Sequence, residues 1–268
     1  MTIEESQNRL INLREKLNRY NFNYFVLSKP EISDFEYDML MNELIDLEKK
    51  FPELFDENSP SQRVGIDSSH EFQQAGHIYP MLSLGNTYSE EELKEFDNRI
   101  HKIIDKDLEY VCELKFDGIS VSLTYRNGKL IQALTRGDGS KGDIVTANVK
   151  TIRSIPLILN GQDLPSEMEV RGEIILPRAG FNLINQEREL AGDPVFANPR
   201  NAASGTLKLQ NSAMVARRPL DCYVYYMLGE NLPFENHFDN LMKLKDWGFK
   251  VSEHIVKCNN LEGVFSYI

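Results

Sequence analysis

Apolar spacing changes once along this chain, and that change restricts the fold. Up to about residue 103 the hydrophobic residues recur at helical spacing; from Tyr110 onward they alternate as on a strand. Thr2 and Glu5 make a capping box, and Leu10, Leu13, Leu17, Tyr20 and Tyr24 line one face of the predicted helix that follows. Ser33 and Glu36 repeat the box, with Tyr37, Leu40, Met41, Leu44 and Leu47 in one stripe toward Pro52. A third box, Ser89 with Glu92, opens a helix through Leu93, Phe96, Ile100 and Ile103. Each box answers backbone N–H groups that a helix start leaves unpaired.

After Tyr110, Val121, Leu123 and Tyr125 alternate with Ser120, Ser122 and Thr124. Asn127-Gly128 then supplies the positive-φ pair of a tight turn before Leu130 to Thr135, which predicts a hairpin. Further strands are expected at Glu169 to Leu176 and Tyr223 to Leu228, and helices near Ala179 to Glu189 and His237 to Trp247. Strands and helices in this irregular order predict an α+β fold with mainly antiparallel pairing, not alternating βαβ units. The expected division is a small all-helical domain over 1–68 and a sheet domain over 69–268.

Composition narrows the partners. Thirty basic against 41 acidic residues give a net charge of −11, a poor electrostatic footprint for a domain that must hold a phosphate backbone alone. The local exception runs from Asn198 to Arg218, where Arg200, Lys208, Arg217 and Arg218 meet no acid. No apolar stretch approaches the roughly 20 residues of a membrane span, and the acidic start lacks the order of a signal peptide, so a cytoplasmic location is expected. Cys112, Cys222 and Cys258 form no CxxC pair and predict neither a disulfide framework nor a zinc site. The five histidines show no ligand spacing and read as structural or surface residues. No metal-binding residues are expected.

The densest chemistry lies in Cys112-Glu113-Leu114-Lys115-Phe116-Asp117-Gly118. With a persistent pleat, Glu113, Lys115 and Asp117 project from one face and set an amine between two carboxylates. A salt-bridged surface strand is the ordinary reading; Gly118 and the hairpin after it also allow the lysine to line a cleft. A lysine nucleophile must shed a proton held at about 10.4, and flanking carboxylates oppose that. A divalent cation, nearby arginines or desolvation must offset them. Elsewhere Gly137 to Gly142 has the glycine spacing of a phosphate loop but continues with Asp143 instead of Lys-Ser/Thr.

Glu113 to Gly118 resembles the KxDG motif of covalent nucleotidyltransferases, the superfamily of DNA ligases, RNA ligases and capping enzymes. Thr135-Arg136-Gly137-Asp138-Gly139, Glu169-Val170-Arg171-Gly172-Glu173 and Phe196 to Gly205 are similar, in the same order, to segments of bacterial NAD-dependent DNA ligases. The resemblance covers essentially the whole chain. It implies that Lys115 attacks the adenylyl phosphorus of NAD, with Asp117 as its catalytic companion, and that AMP stays on the lysine. It implies a helical domain that recognises the nicotinamide mononucleotide half through Tyr24, Asp34, Tyr37 and Asp38, with Phe35 and Glu36 inside the same run. It further implies that Ser83 and Leu84 border the nucleotide, Glu113 and Leu114 read adenine, and Tyr225 stacks on the base. Arg136 and Glu173 would hold the ribose, and Arg200 would approach phosphate. The plain alternative for Glu173 is an ion pair with Arg171, and for Tyr225 a place in the core.

The family also implies Mg2+, a monomer, and contact with nicked DNA through modules that follow the adenylation domain. One of its parts, a second lysine motif of the form DGxVIK, does not occur before Ile268, so the sheet domain is expected to be incomplete and to adenylate slowly or not at all. The rival expectations are a nucleotide-binding fragment without catalysis, and an enzyme that uses ATP or GTP.

Overall fold

The computed structural model describes residues 3–26, 29, 31–63 and 72–268. The Thr2 end of the first capping box and the expected boundary at residue 68 lie outside the described residues. So do the side chains of Phe25 and Asp34.

Helices α1 (Ile3–Asn21) and α2 (Asp34–Lys50) form the N-terminal helical region. Their stripes meet: Leu10, Leu13, Leu17 and Leu44 are fully buried, with Tyr37, Leu40, Met41, Leu47 and Leu54 packed around them. At the start of α2 the Ser33 hydroxyl accepts the Glu36 N–H, and the Glu36 carboxylate accepts the Ser33 N–H at 2.9 Å. Those bonds hold the Glu36 carboxyl below its usual range. Arg9 clasps Glu43 with two bonds of 2.6 Å, and Arg14 reaches Glu48 at 2.7 Å, so both pairs tie α1 to α2. A π-helical turn, Phe22–Val26, follows α1 and carries Tyr24.

Beyond this region the chain forms β1 (Gln74–Gly76), α3 (Glu90–His101), β2 (Tyr110–Cys112), β3 (Ile119–Arg126), β4 (Lys129–Thr135), β5 (Lys141–Asp143) and α4 (Thr146–Val149). There follow β6 (Glu167–Ile175), α5 (Arg178–Ala191), α6 (Pro199–Leu207), α7 (Ser212–Ala216), β7 (Asp221–Leu228), α8 (His237–Asp246), β8 (Val256–Cys258) and α9 (Leu261–Tyr267). The main sheet is antiparallel in the order β4-β3-β6-β7, and β1-β5 and β2-β8 make two short antiparallel pairs. This is the α+β arrangement expected. The β3–β4 turn has φ of 48° at Asn127 and 73° at Gly128, the pair of left-handed residues that a two-residue hairpin needs.

The apolar face of the sheet carries Val121, Leu123, Tyr125, Ala133, Val170, Ile174 and Val224 into the main core. Ile152, Ile155 and Leu157, together with Ala202 and Ala203 of α6 and Leu241 and Leu244 of α8, complete that core. The structure adds two features to the sequence pattern. Simple alternation would leave Ser122 and Thr124 in solvent, yet both are buried. Arg171, opposite Ser122, reaches from this face to the carbonyls of Tyr79 at 2.8 Å and Pro80 at 3.2 Å. The stripe on α3 meets no comparable core: Phe96 is 40% exposed and Ile103 85%. No described helix is long and apolar enough to cross a membrane.

Candidate active site

The second, polar face of the sheet carries the candidate chemistry. Ser120, Ser122 and Thr124 stand opposite Glu173, Arg171 and Glu169 in register. Arg171 pairs with the buried Glu169 at 3.0 Å. Glu173 therefore makes no ion pair with Arg171, contrary to the plain alternative. Its carboxylate accepts the Gly118 N–H at 3.1 Å and the Ser120 hydroxyl at 2.7 Å, which fastens the end of the lysine loop to β6.

The strand pleat stops at Cys112, and residues 113–117 run as a loop, so the same-face triplet does not form as a strand. The carboxylates find other partners. Asp117 binds Arg200 at 2.9 Å, and Glu113 lies 3.6 Å from His237. Lys115 is exposed and, among the described residues, makes no ion pair. Phe116 stacks on Tyr223 with ring centres 4.3 Å apart, which anchors the loop beside the lysine. Leu114 is 45% exposed.

Arg200 reaches Asp117 because α6 starts at the Asn198-Pro199 step. Asn198 caps it by accepting the Asn201 N–H at 2.8 Å, and Pro199 supplies a preset φ where no N–H is needed. Arg136 leaves the end of β4 exposed. The turn after it is pinned by Asp138, whose carboxylate accepts the N–H groups of Lys141 and Ser140 and is held below the usual range by them. Ser83 and Leu84 follow a segment bound to the same turn, since Met81 N–H donates to the Gly139 carbonyl at 2.9 Å. Leu84 is 80% exposed there.

Tyr225 is neither simply core nor simply surface. Between Arg171 and Gly172 the β6–β7 register slips by one residue, and Tyr225 is the extra residue on β7. A bulge of this kind re-aims a side chain. Burial pushes its hydroxyl up, against a hydrogen bond with Ser120, and Glu173 and Arg171 are the charges around it. It shares their face of the sheet.

Tyr24, Tyr37 and Asp38 come together elsewhere, in a cleft of about 660 Å³ between the helical region and the sheet domain. Arg153, Arg217 and Arg218 line its other wall. Tyr37 donates to Asn21 Oδ1 at 2.9 Å. Asn21 Nδ2 and one terminal nitrogen of Arg218 are buried without a partner among the described residues. Phe35 and Glu36 do not join this group: Phe35 is 74% exposed and Glu36 is spent on the cap. No residue of the 113–118 loop lines the cleft. The two places share one end of the sheet, because Asp221 in the cleft wall opens β7 two residues before Tyr223.

Sequence reasoning passed over several contributors. His237 stands against Glu113, His77 contacts the Arg136 carbonyl at 3.1 Å, and Tyr223 holds Phe116. None has a spacing signal, because each contact joins segments far apart in the chain. Lys208, in the basic stretch, pairs with Asp143 at 2.8 Å. Among the described residues no cluster of three or more His, Cys, Asp or Glu fits a metal ion.

A lysine-bearing loop is fastened to the polar face of an antiparallel sheet, and a helical region with its own cleft precedes it. A family model described as the NAD-dependent DNA ligase adenylation domain matches residues 69–268, and one described as the DNA ligase-like N-terminal NAD+-binding domain matches residues 3–65. The chain belongs to the NAD-dependent DNA ligase family. It is 58% identical over 260 residues to a DNA ligase of Phocaeicola vulgatus, covering 97% of this chain and 39% of that protein. Identity to a DNA ligase of Bacteroides fragilis is 56% over all 268 residues, 40% of that protein. For a DNA ligase of Flavobacterium johnsoniae it is 51%, again over the whole chain and 40% of the relative. The chain thus spans about two fifths of the curated relatives it matches.

Proposed function

We propose that this chain carries out the first step of DNA ligation, transfer of an adenylyl group from NAD+ to Lys115. The observation that carries the reading is the freedom of that amine. The two carboxylates flanking it are directed to Arg200 and His237, so neither ties Lys115 into an ion pair and its amine is left free to reach a substrate. Once neutral, Lys115 Nζ attacks the adenylyl phosphorus; the P–N bond forms, the P–O bond to nicotinamide mononucleotide breaks, and that nucleotide leaves. Glu173 and Phe116 hold the loop in place for in-line attack, a positioning task on which phosphoryl transfer depends. Arg136 and Arg200 are the cations near the reacting phosphate, with Asp117 aligning Arg200. Ser83, Leu84, Glu113, Leu114 and Tyr225 form the base pocket.

In the same reading Tyr24, Asp34, Tyr37 and Asp38 receive the nicotinamide mononucleotide half, and the helical module is the part up to residue 68. Since no described cluster fits a magnesium ion, Mg2+ is proposed only as a companion of the pyrophosphate, and no step runs through it. Onward transfer of AMP to the 5′-phosphate of nicked DNA, in a bacterial cytoplasm, belongs to the whole protein that the relatives represent.

Intact-mass spectrometry after incubation with NAD+ and magnesium tests the reading. One AMP accumulating slowly on Lys115, and none with ATP or GTP, is the expected result. Adenylate on another residue, or on the Lys115→Ala variant, would overturn it. Binding of NAD+ with no adduct at any time favours the fragment that binds without catalysing.

A further inference from the structure

Two thiols stand together just before the lysine loop. β2 and β8 pair with Tyr110 opposite Cys258 and Cys112 opposite Val256, so the two cysteines are diagonal neighbours on one face of the ladder. Their sulfurs are 3.8 Å apart and both thiols are free. The third, Cys222, is buried in the main sheet opposite Ile174. Cys112 is partly exposed and within reach of a small oxidant.

We propose that Cys112 and Cys258 are a redox modification site: a peroxide converts them to a reversible intramolecular disulfide whose closure displaces the loop carrying Lys115. The displacement rests on the reading of Lys115 given above; the bond does not. One sulfur attacks a peroxide oxygen, the O–O bond breaks, and a sulfenic acid and water result. The other sulfur attacks the sulfenic sulfur, the S–S bond forms, and the S–O bond breaks with loss of a second water. Two electrons pass from the sulfurs to the peroxide, and both thiol protons end in water. Burial and the neighbouring Cys258 sulfur push the Cys112 thiol up to about 11, so Cys112 stays protonated and reacts slowly with trace oxidant.

The register gives the bond its mechanical effect. A disulfide holds its sulfurs at about 2.05 Å and its Cα atoms at about 4.4–6.8 Å, whereas diagonal positions on paired strands have Cα atoms about 7–8 Å apart. Closure therefore slides β2 along β8. At the far end of the loop Gly118 is fixed by Glu173 and by its packing on Ile174, so the movement falls on residues 113–117, which have no ladder to resist it.

Treatment of the 268-residue chain with hydrogen peroxide, alkylation, and peptide mapping without reductant reads the bond directly. The expected product joins the Cys112 and Cys258 peptides, is lighter by two hydrogens, and reverts with dithiothreitol, while Cys222 is recovered as a thiol. In Cys258→Ser the link is lost and Cys112 is trapped as a sulfenic acid by dimedone. Free thiols at both positions, a Cys112 sulfinic acid without cross-link, or a bond between two molecules would overturn the proposal. For the displacement, hydrogen exchange over 113–117 should rise on oxidation, and any adenylation rate should fall on the order of 10²-fold. A bond that forms while exchange there is unchanged overturns that half, whether or not the chain adenylates.

Discussion

At Gly118 an added Cβ would stand 2.1 Å from the Ile174 carbonyl oxygen, closer than real atoms approach. Backbone cannot yield as a side-chain tip can, so Gly118→Ala must push β3 and β6 apart or expel the loop. The expected cost is about 1–3 kcal/mol in urea unfolding, with loss of the Gly118–Glu173 bond. A variant with unchanged midpoint and adenylation would show that the close approach is tolerated. Lys115 makes the opposite prediction: it is exposed and unpaired among the described residues, so Lys115→Ala and Lys115→Arg should keep the wild-type unfolding curve. Both should lose all covalent AMP by mass spectrometry, because guanidinium stays protonated and cannot attack. At this scale the sequence grouped the candidate residues without showing what they touch. Glu113, Lys115 and Asp117 were legible as a group. Their partners His237 and Arg200 were not, since they arrive from segments more than 80 residues away.

Among elements, legibility followed locality. The capping box at Ser33 and the Asn127-Gly128 turn are contained within four residues, and both formed as read. The three-residue strands β1, β2, β5 and β8 have too few residues to show alternation and exist only through pairing with distant partners. α6 was legible and missed: Asn198 followed by Pro199 is a helix start written in the sequence. Lys208 at the end of α6 binds Asp143 on β5, and this bond, with one from Gln74 on β1, lowers the Asp143 carboxyl from its usual 3.8. A carboxyl depressed in the folded state contributes stability above its unfolded value and loses it as pH falls through the folded one. Stability should therefore decline more steeply with acid below about pH 4 in the wild type than in Lys208→Ala. Thermal unfolding followed from neutral to acid pH gives both slopes, and parallel curves would mean that the α6–β5 bond does not contribute.

For the whole molecule, the unequal cores of the two regions set how they move. The helical region rests on four fully buried leucines, whereas the sheet domain has an extensive core, and small cores give marginal stability. Contacts between them include Lys150 donating to the Glu57 carbonyl at 3.0 Å and Lys129 near Asp56 at 3.6 Å; an exposed pair of the second kind is worth about 0–1 kcal/mol. The helical region should accordingly open more often, and its amides should exchange with deuterium faster than those of β3 and β6. A ligand that binds the cleft only when both walls are present must slow exchange on both. At about 100 times its dissociation constant nicotinamide mononucleotide would contribute about 2.7 kcal/mol to the closed arrangement. Protection should then appear together around Tyr24 and Tyr37 and over 217–221, and vanish in Tyr24→Ala. Protection confined to the 113–118 loop, with neither cleft wall affected, would place the nicotinamide half on the sheet and remove the cleft from the proposed reaction.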